Sequence, residues 1–410
     1  MGMRVAGPRE VGKQIETDTA MTSLELFAGA GGLGLGLHAA GIRPQAVIER
    51  DRYCCDTLRE NKKRRVRGVV SWPLVESDVR EVNFRIFADR IDLVSGGPPC
   101  QPFSLGGKHR AYDDSRDMFP QAIRAVRELR PKAFIFENVK GLTRERFRNY
   151  FEYIQLQMRH PELERKPKQD WMSHFEQLER HHTSCSRGSG LQYNVVTRVL
   201  NAADFGVPQK RHRVFFVGFR NDLGIEWNFP AETHSEEALL WDKIAGDYWE
   251  RHQVSKKRRK VDLCSREKFA NMLVPPALKP WRTVRDAVFG LPAPTHDDEP
   301  VANHRLQLGA KAYVGHTGSE LDEPSKALKA GVHGVPGGEN MIAFPDGSVR
   351  YFTVREAARI QTFPDQFLFH GTWTETMRQL GNAVPVKLAA VVGASVVSQL
   401  SQKVYGASVQ

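Results

Sequence analysis

Residues 96–104 read Gly-Gly-Pro-Pro-Cys-Gln-Pro-Phe-Ser and follow a short apolar run, Ile91-Asp-Leu-Val-Ser95. The run predicts a buried strand, which the glycines and prolines end in a rigid, non-helical turn. Such a turn lies at the carboxyl edge of a sheet, where open α/β folds bind their ligands. Cys100, at its centre, could instead be a small buried thiol. Prolines on both sides make a poor core environment, so we predict that Cys100 is a nucleophile.

Strands and helices alternate around this turn. Strands are predicted at 23–28, 44–49, 91–95, 131–137, 193–200 and 213–219, with a short one ending at 77–78. Helices are predicted at 32–41, 51–65 and 118–129. Because each strand–helix unit takes roughly 20–30 residues, the alternation predicts an α/β fold with a doubly wound, mainly parallel sheet.

The chain divides into four predicted parts. Residues 1–21 form a polar N-terminal arm, and 22–220 carry the strand–helix rhythm, with a charged helical excursion at 142–190. The rhythm is lost over 221–349, which we interpret as a smaller, irregular domain inserted before the C-terminal helix. Residues 350–410 return to the first domain with a long apolar helix over 384–400.

Composition narrows the class of protein. The 410 residues carry a net charge of +11, which makes a polyanion the first partner to consider. The five scattered cysteines form no CxxC pair and indicate a reducing compartment. No apolar run approaches the ~18 residues of a membrane span, and no signal peptide is evident. His181-His182 with Cys185 fits no ordinary zinc spacing, so no metal is predicted.

A glycine-rich turn indicates a cofactor. Gly29-x-Gly31-x-x-Gly34 follows the first strand, and Glu49 ends the second. Glycines let the backbone approach a ligand, while an acid at this position accepts hydrogen bonds from ribose hydroxyls. A ring at Phe27 could stack on adenine, and Asp78 could accept from its amino group. The pattern does not separate NAD from S-adenosylmethionine, and a tight turn without a ligand is the alternative.

Two further stretches carry candidate site residues. Glu137 ends an apolar strand, where desolvation would raise its pKa and suit it to share a proton; Asn138 could be an ordinary helix cap. Arg211 and Arg213 alternate and would project to one side, as phosphate or base-edge contacts require, unless they belong to a solvated charge run.

Lys256-Lys-Arg-Arg-Lys260 is interpreted as a solvated loop that would contact phosphate beside a nucleic acid. The aromatics from Trp227 to Trp249 are interpreted as core.

With these residues in place, the chain resembles the DNA (cytosine-5) methyltransferases. Six motifs occur in that family's order: Leu24-Glu-Leu-Phe-Ala-Gly-Ala-Gly-Gly32, Pro98-Pro-Cys-Gln-Pro-Phe-Ser104, Glu137-Asn-Val139, Gln209-x-Arg211-x-Arg213, Arg355-Glu356 with Phe363-Pro-Asp365, and Gly381-Asn-Ala-Val-Pro385. The resemblance implies a class I methyltransferase fold, which is Rossmann-like, with 22–220 as the catalytic and cofactor-binding domain. It also implies that 221–349 is a target-recognition domain, whose base-reading residues it does not identify.

The resemblance also implies a role for each matching residue. S-adenosylmethionine would contact Phe27, Ala28, Gly29, Gly31, Gly32, Glu49, Asp78, Val79, Pro99, Asn382 and Val384. The catalytic residues would be Cys100, Glu137, Arg213 and Arg211, and the DNA contacts would be Gln101, Ser104 and Gln209. Cys100 would add to C6 of a flipped cytosine, Glu137 would hold N3 and the exocyclic amine, and Arg213 would reach O2.

The implied setting is a bacterial modification enzyme. It would be a cytoplasmic monomer that acts on double-stranded DNA, and a restriction endonuclease for the same site would be its companion. A tRNA cytosine-5 methyltransferase shares these motifs, but the Cys-Phe-Thr signature of that group is absent from the sequence. A catalytically silent DNA-binding relative would not need Cys100, Glu137, Arg213 and the cofactor residues together. An NAD oxidoreductase would leave Pro-Pro-Cys-Gln unexplained.

Overall fold

The computed structural model describes residues 20–99, 117–184, 190–270, 272, 274–296, 300–330 and 340–404. Three predicted site residues, Cys100, Gln101 and Ser104, lie outside these ranges. Residues 1–19 of the predicted arm and Cys185 also lie outside them.

The central sheet is built from the predicted apolar runs. The first eight strands are β1 (Thr22–Leu26), β2 (Arg43–Glu49), β3 (Leu74–Glu76), β4 (Leu93–Gly96), β5 (Ala133–Val139), β6 (Tyr193–Asn201), β7 (Gln209–Lys210) and β8 (His212–Arg220). All except β7 form one sheet in the order β3-β2-β1-β4-β5-β8-β6. The five strands β3, β2, β1, β4 and β5 are parallel to one another. Strand β8 is antiparallel to both β5 and β6. The predicted doubly wound, mainly parallel sheet is confirmed.

Helices cover both faces of this sheet. The α-helices of the described residues are α1 (Gly32–Ala39), α2 (Arg52–Lys63), α3 (Phe119–Leu129), α4 (Arg148–Arg159), α5 (Trp171–Thr183), α6 (Glu236–Ile244), α7 (Tyr248–Arg251), α8 (Leu263–Ala270), α9 (Val284–Val288), α10 (Val354–Ile360), α11 (Trp373–Asn382) and α12 (Val386–Val404). On one face, α1 and α12 pack against β5 and β8, and on the other α3, α4 and α5 complete a second apolar cluster. The predicted helical excursion contains α4 and α5.

Close contact between α1 and α12 depends on glycine. A Cβ atom at Gly36 would lie 2.4 Å from the Ala389 Cβ and 2.5 Å from the Val386 carbonyl oxygen. Because real Cβ atoms do not approach other atoms so closely, only glycine lets the helices meet here. This packing brings the start of the C-terminal helix beside the glycine-rich turn that precedes α1.

The predicted irregular domain contains short elements. Its strands are β9 (His234–Ser235), β10 (Lys279–Pro280), β11 (Ser319–Glu320), β12 (Ser325–Lys326), β13 (Met341–Ala343) and β14 (Val349–Tyr351). Tyr248, Trp249 and Trp281 form a small apolar cluster, as the core interpretation of the aromatics requires. The run Lys256–Lys260 lies mostly exposed around a turn of 3-10 helix.

Both proposed boundaries of the catalytic domain cut through packed core. Met21, assigned to the arm, is buried, and its carbonyl accepts a hydrogen bond from the Arg43 N–H at 2.8 Å. Trp227 and Phe229, assigned to the inserted domain, pack in the same cluster as α12 and β8. The physical core of the catalytic domain therefore starts before residue 22 and extends past residue 220.

One stretch of the described chain, Trp373–Lys403, is long and apolar enough to cross a membrane by length and composition alone. The expectation that no apolar run approaches that length is therefore wrong. Half of the most apolar window is buried inside the protein. The stretch is also interrupted, since α11 ends at Asn382 and α12 begins at Val386. Leu388, Val392 and Val396 of α12 belong to the sheet core, which explains the apolar composition.

Candidate active site

The candidate site lies where the carboxyl ends of β1, β2, β4 and β5 meet the start of the antiparallel strand β8. The pairing of Val139 with Arg213 sets the first residues of β8 beside the end of β5. A Cβ atom at Gly97, just after β4, would lie 3.5 Å from Glu137 Oε2. Glu137, Arg213 and the turn that leads to Cys100 are thus brought to one edge.

The glycine-rich turn has the backbone geometry of a ligand-binding loop. Gly29 and Gly31 have φ angles of 57° and 83°, and Phe27 adopts the same left-handed region at 54°. This conformation is uncommon for a residue with a side chain, and such strain concentrates at binding sites. Ala28, next to it, is buried. The turn fits the close approach of a cofactor.

Glu49 fastens the turn from the end of β2. Its Oε2 accepts a hydrogen bond from the Gly29 N–H at 2.7 Å, and its Oε1 accepts from the N–H groups of Arg50 and Asp51. A carboxylate has about four acceptor positions, so capacity for a ribose hydroxyl remains. The acid at this position therefore both shapes the turn and can meet a cofactor.

The segment before α12 lies directly against this turn. A Cβ atom on Gly32 would lie 2.4 Å from the Val384 carbonyl oxygen, so the two segments touch. Val384 is buried, while Asn382 two residues earlier is exposed. The structure brings Val384 to the turn, where the family resemblance places it, and Asn382 lies two residues before this contact.

Asp78 follows β3 and is held by two arginines. Its Oδ1 accepts from the Arg80 N–H and Nε, and its Oδ2 accepts from Arg80 and from Arg50 at 2.8 Å. The Arg80 hydrogen bonds, followed by those of Arg50, hold the pKa of Asp78 well below its usual range. All four acceptor positions are occupied, so a hydrogen bond from adenine would require one arginine contact to open. Val79 beside it is buried.

Glu137 and Arg213 form a buried ion pair. Arg213 Nε lies 2.8 Å from Glu137 Oε1, and the Glu137 side chain is 8% exposed. Burial raises the pKa of Glu137, the direction predicted from the sequence, while the charges of Arg213 and Arg211 oppose that rise. A carboxyl balanced in this way can share a proton with a ligand that enters the edge.

We expect Glu137→Gln to lower the turnover of the methyl transfer that the family resemblance implies by about 100-fold or more, because an amide cannot share or accept the proton. Rate constants measured with saturating duplex and cofactor report the effect. The matched control is Glu236→Gln, an exposed residue of α6 whose substitution should leave turnover unchanged. Equal turnover in the Glu137 variant and the wild type would remove the assigned role.

Arg211 does not have the environment predicted for a phosphate or base contact. Its guanidinium is fully buried and donates to the carbonyls of Leu328 at 3.0 Å, Gly381 at 2.6 Å and Ala383 at 3.0 Å. Burial, and then the charge of Arg213, lowers its pKa. Its charge acts on Glu137, but its N–H groups join the backbone around Asn382 to the inserted region. The sequence could not reveal this, because carbonyls that accept from Arg211 lie more than a hundred residues away.

The prediction that Gln209 contacts DNA is wrong for the structure described here, because the side chain is not exposed. Its side chain is fully buried, and its Oε1 accepts from the Leu328 N–H at 3.1 Å. Its Nε2 donates to Gln361 Oε1 at 3.2 Å. Gln209 and Arg211 therefore form one buried polar network, which leaves Arg213 as the member of this motif that faces Glu137.

Asn138 positions the turn that leads to Cys100, a role that the sequence interpretation did not assign to it. Its Nδ2 donates to the Pro98 carbonyl at 2.9 Å, so it ties the end of β5 to the turn that leads to Cys100. The Pro99 carbonyl, on an exposed residue, accepts from the Met118 N–H at 3.1 Å. The signal was available: an amide at the tip of β5 lies beside the tip of β4 in a parallel sheet.

Glu25 was also missed. It lies in the middle of β1, is buried, and accepts a hydrogen bond at Oε1 from the Gly34 N–H at 3.0 Å. Burial raises the pKa of Glu25 to about 8, and the charge of Glu49 acts in the same direction. The Glu25 carboxyl thus supports the first turn of α1 from beneath the glycine-rich loop.

The titration of Glu25 predicts a pH-dependent stability. The unfolded chain loses this proton near the usual value of 4.5, but the folded chain keeps it until about 8. Between these values unfolding releases a proton, so stability falls as pH rises, by up to about 1.4 kcal/mol per pH unit. Glu25→Gln keeps the acceptor but does not titrate. We expect a smaller loss of urea midpoint between about pH 5.5 and 7.5 in this variant; equal losses would contradict the assignment.

The histidines near residue 181 interact with one another. His160 Nε2 lies 3.1 Å from His182 Nδ1, and the ring of His181 packs edge-on against His160. Burial, and then the neighbouring imidazoles, lowers the pKa of His160 to about 4. Within the part of the chain that the structure describes, no group of three His, Cys, Asp or Glu residues is arranged to hold a metal ion.

Comparison with known proteins agrees with this geometry. The model of the C-5 cytosine-specific DNA methylase family matches residues 21–162 and 172–398. The chain belongs to this family. It is 32% identical over 395 residues to Type II methyltransferase M.Eco47II of Escherichia coli, covering 94% of this chain and 81% of that protein. It is also 32% identical over 388 residues to Type II methyltransferase M.NgoMIV of Neisseria gonorrhoeae. This match covers 93% of this chain and 99% of that protein.

Solved structures agree in fold. A candidate DNA modification methyltransferase encoded within an Escherichia coli prophage superposes with a TM-score of 0.57 at 22% identity, covering 93% of this chain and all of that one. The S. pombe Dnmt2 methyltransferase gives a TM-score of 0.51 at 16% identity. This superposition covers 93% of this chain and 99% of that one. Family membership makes this protein a DNA cytosine-5 methyltransferase whose cofactor is S-adenosylmethionine. The strained glycine turn, Glu49 and the Gly32–Val384 contact fit that cofactor.

Proposed function

We propose that this enzyme methylates C5 of a cytosine that is flipped out of duplex DNA at a specific short sequence, with Cys100 as the nucleophile. The observation that carries the proposal is the buried Glu137–Arg213 pair, which lies at the edge where the turn leading to Cys100 begins. A base inside a stacked duplex cannot reach a buried pair, so the base must leave the helix, at a cost of a few kcal/mol.

The residues divide the chemistry among them. The Cys100 thiolate adds to C6 of cytosine, which makes C5 nucleophilic, and Glu137 stabilises the charge that develops at N3 and the exocyclic amine. S-adenosylmethionine supplies an electrophilic methyl group when bound. Once C5 is methylated, loss of the C5 proton expels the thiolate and restores the aromatic ring. Arg213 fixes Glu137 and reaches O2, while Phe27, Glu49, Asp78, Asn382 and Val384 hold the cofactor.

The biological setting is part of the proposal. The similar proteins from Escherichia coli and Neisseria gonorrhoeae are named Type II methyltransferases. By analogy, this enzyme would be a cytoplasmic monomer that protects the site of a companion restriction endonuclease. Residues 221–349 would read the DNA sequence.

The test is methyl transfer from labelled S-adenosylmethionine to duplex DNA and to tRNA in parallel, followed by mapping of 5-methylcytosine in the product. We expect label in DNA, confined to one short sequence. Label in tRNA alone would overturn the DNA substrate but keep the chemistry. Label in neither would overturn the proposed activity.

A further inference from the structure

The turn between β6 and β8 lies at the same sheet edge as Glu137. The last residue of β6, Asn201, pairs with His212 at the start of β8, and β8 pairs with the end of β5. Gly206, within this turn, has a φ angle of 77° and is followed by the buried Gln209–Arg211 network. A duplex whose flipped base reaches Glu137 would therefore pass near this turn.

Lys387 and His234 meet over Gly206, and two more basic residues lie on or just after the neighbouring strand β10. Lys387, at the start of α12, donates from Nζ to the Gly206 carbonyl at 3.2 Å. A Cβ atom at Gly206 would lie 2.5 Å from both Lys387 Nζ and His234 Cε1, so the ammonium and the imidazole meet over this glycine. Lys279 of β10 pairs with His234 of β9, and Arg282 follows β10. We name Lys279, Arg282 and Lys387 the cation cluster.

The cation cluster lacks balancing negative charge. Among the described residues, neither Lys279 nor Lys387 has an ion-pair partner, and Arg282 reaches Asp286 only at 3.5 Å. Burial, and then the charges of Arg282 and Lys279, lowers the pKa of Lys387. The same causes, together with Lys387, lower the pKa of His234 to about 4.

The carboxyl on the Gly206 turn, that of Asp204, makes its hydrogen bonds to groups outside the cation cluster. Asp204 Oδ1 accepts from the Trp281 indole at 3.0 Å and from Asn201 at 3.2 Å. Burial raises the pKa of Asp204. Like charges held together in the free protein cost stability, and a bound anion relieves that cost.

We propose that Lys279, Arg282 and Lys387 bind a backbone phosphate of the duplex, outside the bases that the enzyme reads. The inference rests on duplex DNA being the substrate. Lysine and arginine are the usual phosphate ligands, and such contacts fix the register of a protein on DNA without reading its sequence. The cluster would add to the affinity for the duplex without contacting the target cytosine.

The test compares charge removal at the two ends of α12. Lys279→Gln, Lys387→Gln and the double variant are measured against Lys403→Gln, an exposed lysine about 24 Å further along the same helix. Dissociation constants are determined over a range of salt concentrations for a duplex with the methylated sequence and for one without it. Melting temperatures of the free proteins confirm folding.

We expect the double variant to bind both duplexes about 10-fold more weakly at low salt, with a salt slope reduced by about 1–2. Turnover at saturating DNA and binding of S-adenosylhomocysteine should not change, and Lys403→Gln should match the wild type. A slope equal to that of Lys403→Gln would overturn the proposal, as would a loss confined to the methylated sequence. Failure of the proposed function would appear separately, as absence of methyl transfer by the wild type.

Discussion

Replacement of Cys100 by serine is expected to lower methyl transfer by about 10⁴-fold or more. A free thiol has a pKa of ~8.5 and supplies thiolate near neutral pH, whereas a serine hydroxyl is far weaker as a nucleophile. The described ends of the Cys100 segment are fixed at the site: Asn138 holds the Pro98 carbonyl, and Met118 holds that of Pro99. The described residues on either side of this segment, Pro99 and Met118, are therefore held together by a hydrogen bond at the sheet edge.

The measurement is transfer of labelled methyl groups under single-turnover conditions, together with binding of duplex and of S-adenosylhomocysteine. Both binding constants should stay close to those of the wild type, because the substitution exchanges one small atom. Cys264→Ser is the matched control, since Cys264 is a free and exposed cysteine of α8. Its replacement should leave the rate of methyl transfer unchanged. Substantial methyl transfer by the Cys100 variant would contradict the nucleophile assignment.

The strands and the cofactor turn could be predicted because their signals are local. An apolar run such as Pro131–Glu137 predicts its own strand, and the glycines of the turn before α1 predict their own backbone conformation. The six-motif resemblance then placed Asn382 and Val384 beside residues 350 positions earlier, which no local pattern could do. The Gly32–Val384 contact agrees with that placement.

The failures concern burial of polar groups. Arg211 and Gln209 have the alternation of a solvent-facing edge, but their partners are backbone groups of residues 328 and 381–383, which only the folded chain brings close. Glu25 looks like an ordinary polar position, yet α1 covers it. In residues 221–349, strands of two or three residues are too short to leave a periodic pattern.

Arg211→Lys is expected to lower the free energy of unfolding by about 2–4 kcal/mol. Lysine keeps the buried charge, and therefore its desolvation cost, but a single ammonium cannot reproduce the planar fork that reaches three carbonyls. Carbonyls left without a donor in the interior cost about 1–3 kcal/mol each, so loss of one or two accounts for the effect. The urea midpoint, at an unchanged slope, measures it.

The same substitution should weaken binding of S-adenosylhomocysteine, because Arg211 holds the carbonyls of Gly381 and Ala383 on either side of Asn382. Arg220→Lys is the matched control: Arg220 pairs with Asp222 at the exposed end of β8, where exchange should change stability by less than about 0.5 kcal/mol. If both variants unfold at the wild-type midpoint and bind S-adenosylhomocysteine as tightly as the wild type, the three carbonyls find other donors, and Arg211 acts only through its charge on Glu137. Lysine keeps the positive charge of Arg211. A stable Arg211→Lys variant that binds S-adenosylhomocysteine more weakly would therefore show that Arg211 acts through its hydrogen bonds to the three carbonyls.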